Sequence, residues 1–107
     1  MRFNVMIDDQ TYPFEVPQFI IDEAEEFFAK LDLDMDGGYQ MSRTWVDNPD
    51  RMMRCQIAAD KILDAIHREN QQLSIMMAAY IISRMPNATG VRLSSEGDML
   101  EHELILS

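Results

Sequence analysis

Two kinds of hydrophobic periodicity follow one another along this chain, and their order limits the folds available to it. Near the N-terminus, apolar and polar residues alternate over 2–7 and again over 12–16, which is typical of half-buried β-strands. Three stretches with apolar residues three and four positions apart come next, and each predicts a helix. Alternation then returns near the C-terminus. The pattern predicts the order strand-strand, three helices, strand-strand.

The first pair of strands predicts a β-hairpin that turns at Asp8-Asp9-Gln10. Tyr12, Phe14 and Val16 give the second strand its apolar side. Pro13 has no backbone N–H to donate to a neighbouring strand. The second strand is therefore expected at an edge of its sheet.

The C-terminal segments, 91–95 and 99–106, predict a second hairpin around Glu96-Gly97. In the expected register Arg92 lies opposite Glu101, an opposite-charge pair that stabilises adjacent strands. We expect the two hairpins to join in one antiparallel sheet that packs on the helices. The predicted fold class is α+β.

Proline residues and capping residues mark the ends of the predicted helices. Asn48 can cap the second helix, with Pro49 at its first position, and Pro86 stops the third. The third helix is apolar on nearly every side, so either this domain or a partner must cover it. The predicted helices run from Pro17 to a point between Leu31 and Gly37, from Pro49 to the Glu69-Asn70 region, and from Gln72 to Met85.

The composition predicts one folded domain that spans residues 1–107. Its length suits a single core, and a hydrophobic content of 47% exceeds what disordered chains carry. Nineteen acidic and nine basic residues give a formal net charge of −10. Nucleic acid and anionic membranes both attract clustered Lys and Arg, so neither is an expected partner. The charge favours cationic partners.

Signals for cellular location favour the cytoplasm. Cys55 is the only cysteine, so no internal disulfide forms, which suits a reducing compartment. The N-terminus lacks the pattern of a secretion signal. The most apolar stretch, 74–85, is shorter than the roughly 20 residues that span a bilayer. We expect a cytoplasmic protein.

The segment from Asp32 to Arg43 carries the most specific local motif. Three aspartates alternate with apolar residues, two glycines follow, and a glutamine stands at the ninth position. Over these twelve residues and the helix before them, the chain resembles the calcium-binding loop of an EF-hand. The resemblance implies a cation held by side chains, by the Gly38 carbonyl and by a water-linked position. The implied ligands are Asp32, Asp34, Asp36 and Gln40.

The same segment departs from an EF-hand at its last position, where Arg43 replaces a glutamate that gives two oxygens to calcium. Three carboxylates at the end of a helix repel one another and oppose the negative end of its dipole. A cation should therefore offset them, either a metal ion or Arg43 folded back on the segment. The alternative is a plain helix stop, with Gly37 as the cap and the aspartates solvated.

Residues that could support catalysis are poorly placed along the sequence. A nucleophilic Cys55 needs a histidine within hydrogen-bond reach, but His67 lies about 18 Å away along the same predicted helix. Cys55 also lies on an apolar stripe, where a free cysteine behaves as a small hydrophobe. His102 alternates with Leu100, Leu104 and Leu106, so it is expected on or beside the inner face of the sheet, with a structural role. We expect no catalytic residues and no enzyme, with a Cys55-dependent enzyme as the remote alternative.

The apolar content leaves two main hypotheses for function. Ten methionines are many for this length, and methionine both fills core gaps and forms adaptable binding surfaces. The first hypothesis is a non-enzymatic interaction or accessory domain that binds a protein partner or forms a homodimer. The second is a calcium-binding domain that uses the segment from Asp32 to Gln40.

Overall fold

A four-stranded sheet, a layer of helices and a small separate hairpin form the structure, which is α+β as predicted. The computed structural model describes residues 1–94, 96 and 98–107. In chain order the elements are β1 (Arg2–Ile7), β2 (Gln10–Glu15), α1 (Gln18–Glu23), α2 (Glu25–Asp36), β3 (Tyr39–Met41), β4 (Thr44–Val46), α3 (Arg51–His67), α4 (Gln71–Arg84), β5 (Ala88–Leu93) and β6 (Glu103–Leu106), with a 3-10 turn at Met99–Glu101.

The two terminal hairpins join in one sheet, in the strand order β2-β1-β5-β6. β2 lies at the edge, as Pro13 predicts, and Asp8-Asp9 forms the two-residue turn before it. The strands that join the hairpins, β1 and β5, run parallel, so the sheet is mixed rather than wholly antiparallel. Parallel neighbours require a long crossover, and here the helices between β2 and β5 provide it.

The predicted register of the C-terminal hairpin is wrong by two residues. Arg92 lies opposite Glu103, with 3.7 Å between their charged groups, and not opposite Glu101. The strand begins later because the Asp98 carboxylate accepts a hydrogen bond from the Leu100 amide at 3.0 Å and caps the 3-10 turn. The predicted turn at Glu96-Gly97 and the strand end at Ser95 lie partly outside the described residues.

The first predicted helix is divided at Ala24, whose backbone (φ −98°, ψ 23°) leaves the helical range. Hydrogen bonds continue across the break, because the Ala24 amide donates to the Ile20 carbonyl and the Ala24 carbonyl accepts from Phe28. The bend lets α1 pack on α4 while Phe28 is buried edge-on against Tyr80. The apolar periodicity runs through this point without a gap, so the sequence carries no sign of the bend.

The other helix ends lie within two residues of the predicted ones, but the predicted cap of α3 is wrong. The Asp50 carboxylate, and not Asn48, accepts a hydrogen bond from the Met53 amide at 2.8 Å. Asn70 caps α4 in the same way, through the Leu73 amide at 3.1 Å. Both caps satisfy an amide that has no partner within its own helix.

The core lies between one face of the sheet and the packed pair α3 and α4. Phe3, Val5 and Val91 point inward from the sheet and are buried, whereas Arg2 and Arg92 are exposed. Most of α4 is enclosed within this single chain, so the apolar helix predicted from the sequence finds most of its cover inside the domain. No helix in the described part of the chain is long and apolar enough to cross a membrane.

Candidate functional site

The acidic segment forms helix rather than loop over its first half. Asp32, Asp34 and Asp36 lie in the last turns of α2, which places Asp34 on the side opposite the other two. Gln40 lies beyond the helix, in β3, and its amide donates to the Ser42 carbonyl at 2.9 Å. The four predicted ligands therefore do not converge. In the ranges that the structure covers, no three His, Cys, Asp or Glu side chains are grouped to hold a metal ion.

Two arginines from neighbouring helices meet the aspartates. Arg84 of α4 donates to Asp32 Oδ2 through Nε at 2.9 Å and through Nη2 at 2.7 Å. Arg54 of α3 lies 2.8 Å from the Asp36 carboxylate. The Tyr80 hydroxyl donates to Asp32 Oδ1 at 2.5 Å. The cation that the crowded carboxylates require is thus supplied from within the fold, by residues that the sequence analysis did not single out.

Glu25, at the start of α2, completes what we call the arginine–carboxylate network. Arg84 holds Glu25 and Asp32 together, with each nitrogen of Arg84 within 2.9 Å of one of these carboxylates. α2 buries only two of its twelve residues, Phe28 and Met35. Ion pairs therefore supplement a small apolar contact in holding α2 against α3 and α4. The network is defined by Glu25, Asp32, Asp36, Arg54, Tyr80 and Arg84.

The environment of the network lowers the pKa of Glu25 and of Asp32 and raises the pKa of Tyr80. Burial alone would raise the pKa of Asp32, but hydrogen bonds from Tyr80 and Arg84 outweigh it and hold that pKa below its usual value. The hydrogen bond to Arg84 likewise lowers the pKa of Glu25. For Tyr80, burial and the bond to Asp32 raise the pKa. Glu25 and Asp32 are therefore charged and the Tyr80 phenol is neutral at physiological pH.

A depression of about 500 Å³ lies beside the network, lined by Arg51, Arg54, Arg84 and Tyr80 among others. Its arginines suggest an anion site, but the donors of Arg84 are already used. All five N–H groups of its guanidinium face Asp32, Glu25 or the Ser83 hydroxyl. An anion bound by Arg84 would have to displace these carboxylates, so Arg84 serves mainly to dock α2. Calcium binding by the acidic segment stays a prediction, and it would require the end of α2 to unwind.

Cys55 is fully buried in the core, on α3. Burial raises the pKa of its thiol to about 12, with the nearby charge of Asp32 as a smaller cause. A thiol with this pKa is protonated at neutral pH and is a poor nucleophile. The buried, protonated thiol therefore does not support the hypothesis of a Cys55-dependent enzyme.

Native Cys55 is expected to react slowly with a thiol reagent such as dithionitrobenzoate, and at the rate of a free thiol after denaturation in urea. Replacing Cys55 by Ser should lower the free energy of unfolding by about 1–3 kcal/mol, because a hydroxyl is buried among apolar groups. The labelling time course and a urea titration measure the two effects. Complete labelling of the native protein within the dead time of mixing would contradict the placement of Cys55.

His102 is buried, and its ring and its carbonyl both make hydrogen bonds. Its Nδ1 accepts a hydrogen bond from the Ser94 amide at 3.0 Å, which places the ring proton on Nε2, 3.1 Å from Asp60 Oδ1. The Gln56 amide donates to the His102 carbonyl at 3.0 Å. Both ring nitrogens are occupied, so this aspartate–histidine pair has no free nitrogen with which to activate a nucleophile.

A different part of the molecule, around α1, exposes apolar side chains. Phe19, Ile20 and Ile21 stand in this six-residue helix, every residue of which is described, and none of the six is buried. Phe19 is 62% exposed. In the sequence, Ile20 and Ile21 share helical spacing with later apolar residues up to Leu31, whereas Phe19 falls beside that stripe.

A shallow groove of about 330 Å³ separates α1 from the first turns of α4. Pro17 and Ile20 line one side, and Ile75 and Met76 line the other, with the amides of Gln71 and Gln72 at the rim. Ile75 and Met76 are among the residues of α4 that the domain leaves half-exposed. We call the set Pro17, Phe19, Ile20, Ile75 and Met76 the α1–α4 surface.

Carboxylates flank the α1–α4 surface. Asp22, Glu23 and Glu26 are exposed at the end of α1 and the start of α2. Within the described part of the chain, the Asp22 carboxylate accepts one side-chain hydrogen bond, from the Gln18 amide at 3.1 Å. The surface thus combines an apolar centre with an acidic margin.

Comparison with models of protein families, with curated proteins and with solved structures finds no match for this chain.

Proposed function

We propose that this chain is a non-enzymatic protein-interaction domain that docks a protein partner on the α1–α4 surface. One observation carries the proposal: Phe19 of α1 is 62% exposed, and Ile20 and Ile21 beside it pack on the core but are only partly buried. A short helix gains little from its own hydrogen bonds and usually depends on packing for stability. The apolar surface that α1 and the adjoining turn of α4 leave exposed is therefore explained most simply by a partner that covers it.

The residue types of the α1–α4 surface suit an interface. Aromatic residues and methionine are enriched at the centres of interfaces, where they fill pockets on the partner. Transfer of one such side chain from water to a packed contact contributes about 1.5–3 kcal/mol. Met76 adds flexibility, because an unbranched thioether side chain adapts to the shape that it meets. A cytoplasmic setting agrees with the buried free thiol of Cys55.

The proposal is tested by site-specific photocrosslinking in cells that produce the protein naturally. A photoreactive phenylalanine analogue replaces Phe19 in one variant and Trp45 in the other. Trp45 is the matched control because it is also aromatic and is 56% exposed, but it lies on β4. We expect a discrete protein adduct from position 19 and none from position 45.

A second variant shows whether the adduct depends on docking. Met76 is half-exposed, so Met76→Lys should leave the thermal unfolding midpoint nearly unchanged while it places a positive charge in the groove. In this background the adduct from position 19 should be lost. Equal adducts from positions 19 and 45, or an adduct that persists with Met76→Lys, would overturn the proposal.

A further inference from the structure

We infer that the partner of the α1–α4 surface presents a basic segment that carries apolar anchor residues; this inference rests on the proposed function. The charge distribution supplies the argument. No Lys, Arg or His occurs between Arg2 and Lys30, whereas seven Asp and Glu residues fall in that span. Residues 3–29 therefore carry only acidic side-chain charges, and among the described residues two cations from outside this span contact it: the Met1 ammonium donates to the Val16 carbonyl at 2.7 Å, and Arg84 holds Glu25.

The carboxylates that follow Ile21 along the chain differ in whether they have an ion-pair partner. Glu25 is held by Arg84 at 2.9 Å. Asp22, Glu23 and Glu26 make no ion pair within the described part of the chain, and all three are exposed. α4 contributes no opposite charge near the groove, because its only charged residue is Arg84 in its last turn. A Lys or Arg side chain of a partner would find three carboxylates without a cation.

The charge also argues against a second copy of this chain as the occupant. Each copy carries a formal charge of −10, and pairing two α1–α4 surfaces would bring their acidic margins together. Like charges at an interface oppose association and lower its rate. A basic partner gains from the same margin, which steers it toward the groove. Apolar anchors between Ile20 and Met76 would then supply most of the affinity.

Three synthetic peptides of equal length separate charge from hydrophobicity. The first is an amphipathic helix of Leu and Lys, the second replaces each Lys by Glu, and the third keeps Lys but replaces each Leu by Ser. Fluorescence anisotropy of labelled peptides measures their affinity for the intact chain at low and moderate salt. We expect the Leu and Lys peptide to bind at least tenfold more tightly than either control, with affinity that falls as salt screens the charges.

Two variants that each lose three negative charges test whether peptide binding depends on the carboxylates beside the groove. The first carries Asp22→Asn, Glu23→Gln and Glu26→Gln beside the groove. The second carries Asp8→Asn, Asp9→Asn and Asp34→Asn, which remove the same charge elsewhere. We expect about tenfold weaker binding by the first and less than a twofold change in the second. Equal losses would show a general attraction to an acidic protein and would overturn the inference.

Failure of this inference can be told apart from failure of the proposed function. Tight binding of the Glu peptide would overturn the inference of a basic partner but would leave the docking surface in place. The same holds if no peptide binds while position 19 still gives an adduct. An adduct with a second copy of the chain does the same. Absence of the position-19 adduct removes the docking surface itself.

Discussion

Replacing Arg84 by Met is expected to lower the free energy of unfolding by about 3 kcal/mol. The change keeps an apolar stem over the rings of Phe28 and Tyr80 but removes the guanidinium. Asp32, only 27% exposed at its side chain, then loses its main charged partner. Because α2 buries little apolar surface, the loss falls on a helix with few other contacts. Urea titration of both proteins measures the difference.

Arg68→Met provides the matched control for this prediction. Arg68 pairs with Asp64 one turn earlier on α3, but their side chains are 74% and 56% exposed. Surface pairs of this kind contribute less than about 0.5 kcal/mol. Equal destabilisation by the two substitutions would contradict the role given to the network.

The effect of Arg84→Met should also depend on pH. The pKa of Asp32 is lower in the folded protein than in the unfolded chain, because Tyr80 and Arg84 stabilise its charged form. The stability from this carboxylate is therefore fully present above its unfolded pKa and is lost as the pH falls through the folded pKa. The stability gap between the two proteins should be constant from pH 7 to about 5 and should shrink below about pH 4. A gap independent of pH down to 2 would contradict this assignment.

Gly90→Ala is expected to cost at least about 3 kcal/mol or to prevent folding altogether. Gly90 lies in β5, beside Asn4 in β1, where the two hairpins join. A Cβ on Gly90 would stand 2.2 Å from the Asn4 carbonyl oxygen, which belongs to the backbone and cannot move without disturbing the sheet. Circular dichroism and thermal unfolding measure the loss.

Gly37→Ala is the control for the change at Gly90. No atom lies within 4 Å of the Cβ that it would add, and the backbone of Gly37 has an ordinary negative φ of −82°. This substitution should alter stability by less than about 0.5 kcal/mol. A Gly90→Ala protein as stable as Gly37→Ala would show that β1 and β5 are not paired as described.

Local periodicity predicted the order of most elements because alternation and helical spacing reflect which side of a segment is buried. It did not predict features that depend on distant contacts. The bend at Ala24 and the parallel pairing of β1 with β5 leave no mark on the local pattern. The hairpin of β3 and β4 was missed because each strand has three residues, too few to show alternation.

Charge reasoning anticipated one property of the acidic segment, since Asp32 does need a nearby cation. The source of that cation could not be read from the sequence, because Arg84 lies 52 positions later and meets Asp32 only through the packing of α4. The α1–α4 surface is a similar case. The apolar stripe that includes Ile20 predicts that one face of the helix is buried. It does not show whether that face is buried by the rest of this domain or by a partner protein.

Docking on the α1–α4 surface is tested most directly by a nuclear magnetic resonance titration of the isotopically labelled chain with the Leu and Lys peptide. Backbone amides of residues 18–23 and 71–76 should shift or broaden as peptide is added. Amides of β3 and β4 should not change, and the Met76→Lys protein should show no response in the two affected segments. Shifts centred on residues 32–36 and 54, or spread evenly over the chain, would contradict the assignment of the binding site to α1 and α4.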